Sequence, residues 1–226
     1  MQKLSETDAA VFVFSQDDLK RSGVTSIPEA LRIVPGIQVP RIDANKWAIS
    51  SRGFNGRFAN KLLVLMDGRS VYTPLYSGVF WDVQDTLMED IDRIEVIRGP
   101  GATLWGANAV NGIVNIITKK PADTQGSLIA AGVGTEERGF GAVRYGGSAG
   151  PDIRYRLYSK YVDKDGGEDI TGKNGGDAWN SFRTGFRMDW RDEISLQGDV
   201  FKGDSGGKVY FATQMPPYTQ LQNDSS

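Results

Sequence analysis

Cysteine and histidine are both missing from this chain of 226 residues. Without thiols there is no disulfide framework and no thiolate nucleophile, and without imidazole the usual neutral-pH proton shuttle and a common metal ligand are gone. Neither sign of charge is in excess: 26 basic against 28 acidic residues leave a net charge of -2. No broad positive field exists to draw nucleic acid. No run of about 18 apolar residues occurs, so a transmembrane helix is excluded. The opening MQKLSETDAAV lacks the basic start and apolar stretch of a secretory leader.

What the chain has is glycine, 28 residues of it, in a composition 39% hydrophobic and 24% charged. That balance suits one or two folded domains and not a disordered tail. The densest glycine pattern lies in DRIEVIRGPGATLWGANAVNGIVNIITKK, Asp92 to Lys120. Ile94 and Val96 before the turn, and Ile113, Val114, Ile116 and Ile117 after it, are β-branched strand formers, with Gly99, Gly101, Gly106 and Gly112 between them. A phosphate loop fails here. Gly101 and Gly106 have the spacing, but Ala107 and Asn108 stand where Lys and Ser or Thr are needed. A dinucleotide loop fails as well, because Leu104 occupies the place of the third glycine. The acidic residues Asp67, Asp82, Asp85, Glu89, Asp90 and Asp92 show no spacing that acid–base chemistry would require. An enzyme is not expected, nor a cofactor or bound metal.

Four blocks in order carry a specific resemblance: VFVFSQDDLKRSGVTSIPEALRIVPGIQV, ISSRGF, NKLLVLMDGRSVY and RIEVIRGPGATLWGANAVNGIVNIITKKP. Together they cover about residues 11 to 121 and closely resemble the plug domain of TonB-dependent outer-membrane receptors. The resemblance implies an α+β plug over residues 1–121, a small mixed β-sheet with short helices. Residues 122–226 would then be the first antiparallel strands of a transmembrane β-barrel, apparently truncated.

Taken in order, the residues support that division. Ala10 to Phe14 is an apolar run of strand length, and Ser15 predicts the N-cap of a short helix stopped by Gly23. Ser26 predicts a second cap, with Pro28 in the first turn, where its missing donor costs little. Ile37–Val39 and Ile49–Gly53 read as short strands around a polar loop, Arg41 to Lys46. Leu62 to Met66 is apolar on both faces, as in a buried strand, and Asp67-Gly68 closes it as a turn. Asp85 or Thr86 predicts the cap of a turn through Asp90. A boundary is expected at Lys120-Pro121, since proline cannot extend a central strand.

Beyond it, residues alternate. Phe182, Phe186, Met188 and Trp190 face Ser181, Arg183, Arg187 and Asp189; Ile153, Tyr155, Leu157 and Tyr161 face Arg154, Arg156 and Lys160; and Ile194, Leu196 and Val200 face Ser195, Gln197 and Asp199. Dyad-periodic segments of about ten residues, with short links at Gly150-Pro151 and Arg191-Asp192 and long ones at Asp163–Ala178 and from Gly203 onward, fit a membrane barrel. A soluble sheet with one wet face has the same periodicity. Five strands are predicted, the first two near 127–134 and 138–148. Barrels of about 22 strands need roughly 220 residues for strands alone, so a partial receptor is expected.

The resemblance also implies roles. The whole receptor would take up a scarce nutrient complex, a ferric siderophore foremost, with cobalamin and other metal chelates represented, using TonB of the inner membrane as energy-coupling partner and outer-membrane lipid as surroundings. No TonB box is recognisable in Met1 to Ala10. Apical plug loops would meet the ligand: Arg41, Asp43, Asn45, Lys46 and Trp47 in one, and Tyr72, Thr73, Pro74, Leu75, Tyr76, Phe80 and Trp81 in the other. Rigid rings with nearby cations suit a large, partly aromatic, anionic chelate. Arg52 and Arg98 match arginines that latch plug to barrel through carboxylates, and Glu95 has two readings, a member of that network or a strand-edge salt bridge. The alternative is a free-standing ligand-binding module or a receptor remnant without transport.

Overall fold

The computed structural model describes residues 10–75, 77–99, 105–106, 108–168, 172–212 and 219–225. Residues 1–9, Tyr76, and Gly101, Leu104 and Ala107 of the glycine link lie outside the described residues. The chain divides into two compact units. The first comprises residues 1–42 and 46–119, the second residues 43–45 and 120–226.

In the first unit, β1 (Ala10–Ser15) leads into α1 (Gln16–Ser22), α2 (Ile27–Arg32), β2 (Ile37–Gln38), β3 (Ser50–Ser51), β4 (Leu62–Met66), β5 (Arg69–Ser70), β6 (Ile91–Arg98) and β7 (Gly112–Thr118). One mixed sheet runs in the order β1-β6-β7-β4-β5, while β2 and β3 pair separately. Among the described residues only β4 and β7 pair in parallel, Leu62 opposite Gly112 through Met66 opposite Ile116. Leu62, Val64, Ile94, Val96, Ile113, Val114 and Ile116 are buried in the sheet, and Ile27, Leu31 and Leu87 join them in the core. β4 is therefore covered on both faces, as its unbroken apolar run requires.

The helix ends separate one cap from another. Ser15 accepts from the Asp18 N–H while its own N–H donates to Asp18 Oδ2 at 3.1 Å, a reciprocal capping box, and Gly23 ends α1 at φ 69°. Burial and the hydroxyl hydrogen bond differ at α2. Ser26 is the N-cap residue, but its side chain makes no cap bond and its buried Oγ has no partner. Pro28 in the first turn suffices there. The 3-10 turn Met88–Asp90 likewise starts from Leu87 without a side-chain cap, so neither Asp85 nor Thr86 serves as one.

The second unit is a six-stranded antiparallel sheet of consecutive neighbours: β8 (Gly126–Gly132), β9 (Gly139–Ala149), β10 (Ile153–Lys164), β11 (Trp179–Trp190), β12 (Ile194–Ala212) and β13 (Thr219–Ser225). It is open, with no closure into a barrel among the described residues. Register sorts the faces. Ile153, Trp190 and Ile194 align, as do Tyr155, Met188 and Leu196, and Leu157 lies between Tyr145 and Phe186. Most of these apolar side chains are exposed. Arg156, Lys160, Arg183 and Asp189 occupy the opposite face, where they are buried. Arg183 pairs with Asp199 and lies 5.1 Å from the Phe201 ring centre, and Arg187 meets Asp189 at 3.2 Å. An apolar face turned outward against a polar, ion-paired one is the reverse of a soluble sheet's core.

Two expectations change here. β12 runs straight through Gly203, Gly206 and Gly207 instead of ending in a loop, and β13 is a sixth strand where five were predicted. Glycine and polar residues were read as turn-forming, yet an antiparallel ladder is carried by backbone hydrogen bonds that every residue but proline can supply. The tight links remain tight. Arg191 and Asp192 form one at φ 52° and 59°, and Arg191 reaches across to Asp152 of the other at 3.1 Å.

Candidate functional site

Residues 40–48 form a closed loop. The Ile42 N–H donates to the Lys46 carbonyl at 2.7 Å, the Ala48 N–H donates to the Pro40 carbonyl at 2.9 Å, and Arg41 pairs with Trp47 as an isolated bridge. Arg41 is exposed, Asp43 and Lys46 are half-buried, and Asn45 is buried. Trp47 is only 3% exposed, so its ring is packed within the protein and presents no face to a ligand. The tip, residues 43–45, belongs to the second unit. Ala44 is held there by its backbone: its N–H donates to Asp177 Oδ2 at 2.7 Å and its carbonyl accepts from Trp179 Nε1 at 3.0 Å. Asp177 also accepts the Gly167 N–H at 2.8 Å. This grip reads backbone, so Ala44 itself gave no signal in the sequence.

The second loop, residues 71–81, is drawn closed by Thr73 and Gly78, which exchange both backbone hydrogen bonds at 2.8 and 3.3 Å. Leu75 at its turn is 80% exposed and Pro74 is exposed, Tyr72, Thr73 and Phe80 are half-buried, and Trp81 is 5% exposed. Trp81, like Trp47, is a packing residue. Tyr76 lies outside the described residues. Against this loop packs a segment the sequence did not mark as functional. Phe58 and Phe80 meet edge to face at 5.0 Å between centroids, and Arg57 lies 5.1 Å from the Phe58 centroid and 5.9 Å from that of Phe80. Gly78 sits so close that a Cβ there would come within 2.7 Å of Phe58 Cα. Arg-Phe after glycine was the available signal, but two residues at that spacing are too common to carry it.

The three expected latch residues do not form one cluster in this unit. Glu95 accepts from Arg93 Nε at 2.7 Å and from Asn115 Nδ2 at 3.1 Å. Arg93, bonded also to Asp92, has its guanidinium pKa raised chiefly by the Glu95 hydrogen bond. Of the two readings for Glu95, the structure contains the salt bridge within the strand. Arg98 donates through Nη1 to the Pro35 carbonyl at 3.1 Å, and its buried Nε has no partner. Gly36 admits that side chain, since a Cβ there would meet Arg98 Nη1 at 3.1 Å. Arg52 is exposed, with backbone at φ 58°. No group of three or more acidic side chains is placed to hold a metal among the described residues.

Residues 3–113 match the sequence profile of the TonB-dependent Receptor Plug Domain family. The chain carries the plug domain of a TonB-dependent receptor. Its plug-type sheet and the strands after it also match solved receptors. The chain is similar to the ferric yersiniabactin uptake receptor FyuA from Yersinia pestis, with a TM-score of 0.68 at 21% identity over 92% of this chain and 33% of that one. Among curated proteins it is 32% identical to the vitamin B12 transporter BtuB of Vibrio cholerae serotype O1 over 134 residues, 59% of this chain and 21% of the relative. It is 28% identical to BtuB of Vibrio vulnificus over 92% of this chain and 35% of that protein. The chain thus spans between about a fifth and a third of the length of these relatives. TonB-dependent receptor relatives are outer-membrane proteins, and no helix among the described residues is long and apolar enough to cross a membrane.

Proposed function

We propose that this chain is the N-terminal portion of an outer-membrane receptor that binds a metal chelate and admits it through a barrel gated by the plug. A ferric siderophore is the first candidate and a cobalamin the second. The observation that carries this reading is the pairing, in one chain, of a plug-type mixed sheet with an antiparallel sheet whose exposed face is apolar. That face is suited to outer-membrane lipid and the ion-paired face to a polar lumen. TonB is the proposed energy-coupling partner, on the strength of the family alone.

Within the plug, the exposed or half-exposed residues Arg41, Asp43, Lys46, Tyr72, Thr73, Pro74, Leu75 and Phe80 are proposed to face the ligand, while Trp47, Trp81 and Asn45 hold the loops' shape. The plug–barrel latch is proposed for Arg52 and Arg98. Disrupting the gene that encodes the chain should abolish growth on one chelate of a panel of ferric siderophores and cobalamin, with the product recovered as heat-modifiable outer-membrane material. Recovery of the natural product as a soluble periplasmic protein would refute the transporter and favour a free-standing binding module.

A further inference from the structure

The Arg57–Phe58–Phe80 group is the strongest feature that the proposed ligand loops do not already use. The Arg57 guanidinium carbon lies over both rings, within the roughly 6 Å at which cation–π attraction operates. Among the described residues it makes no hydrogen bond and meets no carboxylate. Attraction to ring faces takes up no oxygen acceptor, so the rings hold the guanidinium without saturating its N–H donors. A fork held in this way is suited to an acceptor with two oxygens.

Two independent observations bear on what approaches it. Between Asp43 and Asp67 the chain carries Lys46, Arg52, Arg57 and Lys61 and no acidic residue, although the whole protein is slightly acidic. The segment that bears Arg57 therefore contributes charge of one sign, the sign that suits an anion. The adjoining backbone is also strained: Arg52, Gly53 and Phe54 follow one another at φ 58°, 87° and 56°, and Phe54 is left 77% exposed. Left-handed backbone at a bulky residue persists only where surroundings enforce it, and such strain concentrates at binding sites. Gly78, seated against the backbone of Phe58, ties this segment to the second loop.

We infer that Arg57, backed by Phe58 and Phe80, is an oxyanion subsite that takes a carboxylate, phosphate or catecholate oxygen pair of the ligand, with the exposed Phe54, three residues earlier in the chain, available to an apolar part. This inference rests on the proposal that the plug loops meet the ligand. It adds a position that the loop residues named above do not include.

The test is a titration of the full chain in detergent micelles with citrate, inorganic phosphate and 2,3-dihydroxybenzoate in turn, following the Arg57 Nε–H resonance by NMR. At least one probe should shift that resonance saturably, and the three arms say whether carboxylate, phosphate or catecholate is preferred. Arg57→Gln should weaken that probe by roughly 10-fold or more, and Arg57→Lys, which keeps charge but not the fork, should recover part of the loss. Backbone amide spectra of both variants that match the parent establish that the fold is intact. Saturable shifts at Arg41 or Lys46 with none at Arg57 would overturn the subsite and leave the ligand-loop reading standing. No shift at any of these residues with all three probes would overturn the subsite and count against the loops as well.

Discussion

Replacing Asp67 by alanine tests how the plug sheet ends. β4 and β7 run parallel until Met66 opposite Ile116, after which the Asp67 N–H donates to the Ile116 carbonyl at 2.9 Å and β4 turns away. The next donor on β7, the Thr118 N–H, would lose its partner there. The Asp67 carboxylate takes it at 2.7 Å and takes the Thr118 hydroxyl at 2.8 Å, so a side chain continues the ladder where the backbone leaves it. Asp67 does this at φ 48°, with Gly68 following at 80°. Hydrogen bonds to a charged group contribute about 1.5–3 kcal/mol, and an orphaned buried N–H costs about 1–3 kcal/mol. These overlap, and alanine at left-handed φ adds roughly 1 kcal/mol. A loss of about 2–4 kcal/mol is expected for Asp67→Ala. Asparagine tolerates the backbone and keeps one acceptor, so Asp67→Asn should lose about half as much. Native-state hydrogen exchange at Thr118 reads this directly: about 30- to 1,000-fold faster exchange in the alanine variant, at 1.4 kcal/mol per factor of ten. Equal effects of alanine and asparagine, or acceleration below about 3-fold in both, would show that the carboxylate does not hold the strand end.

Gly78→Ala places a Cβ about 2.7 Å from Phe58 Cα and should cost about 1–3 kcal/mol through overpacking, read as lost exchange protection at the Thr73 and Gly78 amides; unchanged protection would mean the loops are not in contact. Ser15→Ala should destabilise α1 by about 1 kcal/mol and let the Asp18 pKa rise toward the ordinary 3.8, because the Ser15 hydroxyl and then its backbone N–H are what lower it. Since the folded value is depressed, that contribution to stability is complete above the ordinary carboxylate value and is lost as pH falls through the lowered one. NMR titration of Asp18 in parent and variant checks the direction. Leu157→Arg on the exposed apolar face should cost about 2–4 kcal/mol if lipid covers the middle of β10, whereas in a soluble sheet it would be neutral; recovery of the full receptor in outer-membrane fractions separates the two.

Local signals in the sequence were read best where one residue type answers one backbone need. Ser15 with Asp18 and Gly23 around α1, the doubly apolar β4, and the alternating β10 and β11 each follow from side-chain chemistry within a few positions. What escaped depends on distant chain. Asp67 looked like a turn residue because its partner, Thr118, lies 51 positions away. β13 and the end of β12 looked like loop because their order comes from neighbouring backbone. Trp47 and Trp81 were expected at a ligand and lie inside, since burial of a ring is settled by what folds over it. Phe58 escaped for the converse reason: only its meeting with Phe80, 22 residues later in sequence, sets it apart.

The charges of β6 show how strand geometry sharpens a motif. Glu95 and Arg98 are three positions apart, and side chains alternate along a strand, so they leave β6 on opposite faces. Glu95 shares its face with Arg93, which pairs with it, and with Asn115 across the ladder. Its charge is therefore answered locally. Arg98 leaves with the core-facing Ile94 and Val96, reaches the Pro35 carbonyl between α2 and β2, and keeps a buried Nε without an acceptor. Among the described residues neither Arg98 nor Arg52 meets a carboxylate. A half-buried guanidinium with a donor left over is stabilised by a carboxylate brought to it, whereas an arginine already paired gains little from another. The leftover donor supports the proposed latch role for Arg98; for the exposed Arg52 the proposal rests on its motif alone, while Glu95 is paired within the strand that carries Arg98.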